Sequence, residues 1–196
     1  GAGQLMRQVG EDAIDGARGN SGAILAQFFT GVAEDLGDRV AIEPVMLAEA
    51  VQAGSRSARQ AMSDPREGTI LSVIGAFAAA LEEQPDPVSA QRWFAPALER
   101  ARRALANTPR QLPVLAKAGV VDAGAQGFVD LLEGINDFII GGREAADSLQ
   151  VESLADVEAA QAHEDLFDAD PNHRWCSECL LLGEGLDRAG LRAAVA

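Results

Sequence analysis

The feature that most constrains this chain is what its first 142 residues lack. No stretch there sustains the apolar–polar alternation of a half-buried strand. Apolar residues recur instead at three- and four-residue intervals, between short clusters of Gly, Pro, Ser, Asn and Asp. Ile24, Leu25, Phe28, Phe29, Val32 and Leu36 form one such stripe, and Ile70, Leu71, Val73, Ile74, Phe77 and Leu81 another. A chain patterned this way buries its apolar faces by packing helix on helix. The expected fold is all-α, an antiparallel barrel or bundle of amphipathic helices.

Punctuation sets the expected elements. A first helix over about residues 4–17 ends at Gly16 and Gly19, and Asn20-Ser21 caps a second. Pro44 suits the first turn of a third, which runs to about Met62. Thr69 opens a fourth, ended by Pro85 and Pro87. A fifth spans about 89–106, with Trp93 and Phe94 as core residues or anchors for a partner. Thr108-Pro109 restarts a short helix that Gly119 closes. Asp122 caps a long helix that Gly141-Gly142 terminates.

Composition then shifts. Between Glu144 and His173 there are nine acids and no Lys or Arg. Such a segment has too little apolar surface to pack well, and reads as a linker with a short helix near 154–162. Beyond it, 174–182 reads as a strand and 186–195 as a helix. The expected organisation is a helical domain over 1–142, an acidic linker over 143–173 and the opening of a middle domain over 174–196.

A formal net charge of −14 argues against a nucleic-acid binder, whose footprint is basic. No apolar run approaches the roughly 18 residues of a membrane span, and no secretory signal pattern is present. A cytoplasmic location is expected. Arg100, Arg102 and Arg103 read as a solvated helix face paired with Glu99 and its neighbours. Cys176 and Cys179 form a C-x-x-C, with His163 and His173 upstream. On a strand, two cysteines three positions apart point to opposite faces. The His, His, Cys, Cys order is also not that of a standard zinc finger.

Three helix starts carry the chemistry. The first is Gly16-Ala17-Arg18-Gly19-Asn20-Ser21-Gly22, where glycines permit a tight loop. A following helix N-terminus supplies unpaired N–H groups and a positive dipole end, a natural anion site. The second is Glu67-Gly68-Thr69-Ile70-Leu71, and the third Val120-Val121-Asp122-Ala123-Gly124-Ala125-Gln126-Gly127. Taken singly, each is more often an ordinary capped turn. A Walker A motif is excluded because the only lysine is Lys117, and no Rossmann glycine fingerprint is present.

Together the three resemble the DhaL-like nucleotide-binding domain of the dihydroxyacetone kinase family, most of all its bacterial fatty acid kinase branch. The matching stretches are GARGNSGAILAQFF at 16–29, EGTILSVI at 67–74, TPRQLPVLAKAGVVDAGAQGF at 108–128 and HRWCSECLLLGEGLD at 173–187. The resemblance implies a barrel of about eight helices with the nucleotide at one end. It places Gly19, Asn20, Ser21 and Gly22 on the phosphates of ATP or ADP. Thr69 and Ile70 would flank the base, while Asp122 and Gly124 would close the pocket. It implies a γ-phosphoryl transfer to a small or lipid acceptor, in the fatty acid branch a carboxylate presented by a lipid-binding partner protein. It also implies Mg²⁺ on the phosphates, held by an upstream Asp cluster that this sequence does not contain. Glu11, Asp12 and Asp15 read as helix surface and do not replace that cluster. The chain is therefore expected to be a fragment or a degenerate relative, with little activity by itself and with exposed apolar surface favouring a homodimer. Cys176 would be a metal ligand completed by later residues. The alternative is a non-enzymatic helical interaction module whose glycine turns are structural.

Overall fold

In the computed structural model, residues 1–83 and 89–147 are described. They contain seven helices and no strand. These are α1 (Ala2–Gly16), α2 (Gly19–Leu36), α3 (Pro44–Ala61), α4 (Ile70–Glu82), α5 (Ala90–Gln111), α6 (Pro113–Ala118) and α7 (Ala123–Asp147). The all-α expectation holds for these residues. Pro85 and Pro87, residues 148–173 of the acidic linker, the 174–182 strand, the 186–195 helix and the Cys and His residues lie outside them, while residues 143–147, expected to open the linker, belong to α7.

Sequential helices pack side by side, from α1 on α2 through to α5 on α6. Small residues set the spacing of the first pairs. A β-carbon on Gly3 would stand 2.0 Å from the Gly37 carbonyl oxygen, and one on Gly10 would stand 3.4 Å from Thr30. Residue 3 thus meets residue 37 and residue 10 meets residue 30, so α1 and α2 run antiparallel. Between α2 and α3, a β-carbon on Gly31 would lie 2.9 Å from the Gly54 α-carbon. The two backbones touch where neither carries a side chain.

Helix α4 is the centre of the core. Eight of its thirteen residues are buried, among them Val73, Ile74, Phe77 and Leu81. An edge-to-face chain of rings ties its neighbours together. Phe77 meets Phe94 of α5 at 5.4 Å and Phe128 of α7 at 6.0 Å, and Phe128 meets Phe28 of α2 at 5.7 Å. These geometries each add about 0.5–1.5 kcal/mol beyond the buried area. Trp93 and Phe94 are core residues, and the Trp93 indole N–H donates to the Leu81 carbonyl at 3.0 Å. That bond satisfies one of the carbonyls left over at the end of α4.

Three boundaries differ from the sequence reading. Helix α2 begins at Gly19, so Arg18 occupies the cap position and Asn20-Ser21 lie in the first turn. Helix α5 does not stop near 106 but continues through Pro109 to Gln111. Pro109 has no N–H for the Leu105 carbonyl. The Thr108 hydroxyl donates to that carbonyl instead, at 2.8 Å, and the helix survives the proline. In α7, Gly142 takes φ +62° as a kink, after which helix resumes to Asp147.

Candidate functional site

Packing and hydrogen bonds link the three helix starts, the first to the third directly and the second through the end of α5. The start of α2 is built from Arg18 in extended conformation followed by Gly19 at φ +63°. A residue with a β-carbon would be strained there by roughly 1–2 kcal/mol. Nothing approaches within 4 Å of where that β-carbon would stand, so this side of the turn is open. No side chain caps the helix end. Arg18 turns back to α1 and donates to the Ala17 carbonyl at 2.8 Å. Gly19, Asn20 and Ser21 are exposed and Gly22 half-buried.

Ser21 meets the third helix start directly. A β-carbon on Gly124 would fall 2.2 Å from the Ser21 hydroxyl oxygen and 2.8 Å from its β-carbon. Two residues 103 positions apart thus share a space that only glycine leaves open. Asp122 caps this end of α7, its Oδ1 accepting from the Ala125 N–H at 2.8 Å. The Asp122 N–H in turn donates at 3.1 Å to the Thr108 hydroxyl, which is fully buried.

The second start is joined through the end of α5. Gly68 sits at φ +81°, and a β-carbon there would lie 2.9 Å from the β-carbons of Gln111 and Leu112. Thr69 caps α4: its hydroxyl accepts from the Leu71 N–H at 3.4 Å and donates to the Arg66 carbonyl at 2.8 Å. Ile70 is 3% exposed and its side chain belongs to the core. Before the turn, Glu67 accepts from the Ser72 hydroxyl at 2.5 Å and pairs with Arg59 at 2.7 Å. The Ser72 hydrogen bond, then Arg59, holds its carboxyl below the ordinary value of 4.5.

Of the sequence-derived site residues, Ser21 and Gly124 are therefore in contact, with Asp122 capping beside them. Thr69 connects to them through Gly68 and the α5 terminus. Two residues went unassigned in the sequence reading, Gly68 and Thr108. A glycine before a helix-capping Thr, and a Thr before a mid-helix Pro, were the signals for them. Among the described residues no three His, Cys, Asp or Glu side chains gather as a metal site. No helix there is long and apolar enough to cross a membrane.

The DAK2 domain profile matches residues 1–137. The chain belongs to the DAK2 domain family. It is thereby a DhaL-like domain of the dihydroxyacetone kinase family. Among curated relatives, an uncharacterized protein of Staphylococcus aureus (strain USA300) is 38% identical over 133 residues, covering 67% of this chain and 24% of the relative. An uncharacterized protein of Staphylococcus saprophyticus is 37% identical over 159 residues, covering 80% of this chain and 29% of the relative. The chain thus spans about a quarter of the length of the curated relatives it matches.

Proposed function

We propose that this DAK2 domain binds ATP at the joined helix starts and serves a phosphotransferase that moves the γ-phosphoryl group to a carboxylate, a fatty acid presented by a partner protein. The transfer breaks the bond between the β–γ bridging oxygen and the γ-phosphorus. It forms a bond from the carboxylate oxygen to that phosphorus, leaving an acyl phosphate and ADP. Little covalent chemistry falls to the protein in such a transfer, and positioning and charge stabilisation carry it.

The observation that carries this reading is the contact between Ser21 and Gly124, which brings an uncapped helix start against a second one. The open turn at Gly19, the first-turn N–H groups and the Ser21 hydroxyl fit a polyphosphate. Thr69 and Asp122 already spend side-chain oxygens on caps, so their part is to fix the loops that frame the nucleotide. Ile70 contributes its main chain alone. Among the described residues no carboxylate cluster suits Mg²⁺.

The same caps also favour a second reading, in which the glycine turns are purely structural and the domain is an interaction module. Titration calorimetry separates the two. The Ser21→Ala, Asp122→Asn double variant keeps a capping oxygen at position 122. Its ATP affinity is expected to fall at least about tenfold, a loss of about 1.4 kcal/mol. Unchanged heats of binding would count against the site, and absence of ATP binding by the parent protein would favour the interaction module.

A further inference from the structure

A groove on α5 runs against the overall acidity of the chain. Thirty acids oppose sixteen Lys and Arg residues in the sequence. Yet Arg100, Arg103 and Arg110 line a groove of about 580 Å³ together with Asn107, and no carboxylate is among its lining residues within the described part of the chain. Ala104 and Ala76, the latter from α4, are part of its wall, and their small side chains keep it open. Positions 100, 103, 107 and 110 follow one stripe of the helix, about 15 Å long at 1.5 Å per residue.

The arginines on this helix divide by what holds them. Arg102, on the adjoining face, pairs with Glu99 and with Glu133. Arg100 is held at one end of the groove by Glu83 at 2.5 Å. Arg103 donates only its Nε, to the Glu99 carbonyl at 3.3 Å. Neither Arg103 nor Arg110 forms an ion pair among the described residues. Two unneutralised guanidinium groups thus face one groove two helical turns apart, about 10 Å along the axis. That separation exceeds the span of a single phosphate. It matches carboxylates two turns apart on a helix, each of which a guanidinium fork can bind with two parallel bonds.

We propose that this groove docks an acidic helix of a partner protein, with carboxylates on Arg103 and Arg110 and Asn107 hydrogen-bonding between them. The assignment stands apart from nucleotide binding. Arg110 precedes Gln111, whose side chain packs against Gly68, so a partner held here reaches the rim of the joined helix starts.

The test uses fluorescence anisotropy with a labelled Ala-based helical peptide carrying Glu at positions i and i+7. A peptide of the same composition with the two Glu adjacent is the control. Inorganic tripolyphosphate and phosphatidylglycerol vesicles serve as competing anions. The expected result is saturable binding of the spaced peptide that weakens as salt is raised. Arg103→Ala with Arg110→Ala is expected to lower its affinity at least about tenfold. Arg7→Ala with Arg66→Ala, an equal charge change elsewhere, is expected to leave it unaltered. Absence of saturable binding would overturn the proposal, as would equal affinity of the two peptides or an Arg103/Arg110 variant that binds as before. Tighter binding of tripolyphosphate or of vesicles that is lost in the Arg103/Arg110 variant would overturn it in favour of a phosphate or membrane site. ATP titration of the same Arg103/Arg110 variant is expected to match the parent, so failure here and failure of the nucleotide reading are told apart.

Discussion

Gly124 shows how one missing β-carbon can set a contact between distant helices. Its neighbour Ser21 occupies the space a methyl group would need. Gly124→Ala is expected to destabilise the domain by about 1–3 kcal/mol, the usual range for overpacking. Ser21→Gly removes both clashing atoms, so the alanine should cost markedly less in that background. Urea denaturation of the four members of this cycle checks the coupling, and strictly additive losses would deny the contact. Glu67 makes a pH-dependent contribution of stated sign. Its folded pKa is depressed by Ser72 and Arg59, so its contribution is present above the unfolded value and is lost as pH falls through the folded one. Acid denaturation of Glu67→Gln should show a flatter fall in stability below about pH 5 than the parent. Because Glu67 is about half exposed, the effect is expected to be small.

At the level of elements, the sequence marks helix starts better than helix ends. Thr69 and Asp122 cap α4 and α7 as their chemistry suggests, because local hydrogen bonding decides a cap. The position of α2 slipped to Gly19 because a glycine at positive φ can begin a helix without any side-chain cap. Pro109 misled for a different reason. Proline normally interrupts a helix, and only the structure shows Thr108 supplying the missing donor to Leu105. The Ser21–Gly124 contact does not follow from periodicity, which says nothing about partners a hundred residues apart; only the family resemblance puts the two at one pocket. Thr108 now links the proline to the α7 start, and this makes it vulnerable. Thr108→Val removes both bonds at a fully buried position and should cost about 1–3 kcal/mol. Pro109→Ala restores an N–H for Leu105, so the double variant should recover part of that loss in thermal unfolding. No recovery would mean that the Leu105 carbonyl does not need the Thr108 hydroxyl.

Across the described domain, the packing of α2, α4 and α7 also brings their starts toward one another. Phe28 of α2, Phe77 of α4 and Phe128 of α7 meet in one ring cluster, and each of these helices opens at one of the three starts proposed for the nucleotide. Membership in the DAK2 family accounts for the fold over residues 1–137. The account of function depends on the main-chain N–H groups at these starts responding together to one polyphosphate. Amide chemical shifts during an ATP titration of the isotope-labelled chain measure this most directly. The account predicts saturable, concerted shifts at Gly19 to Gly22, at Gly68 to Ile70 and at Gly124. It would be contradicted by ATP binding that leaves those amides unmoved, or by no saturable shift at any of them.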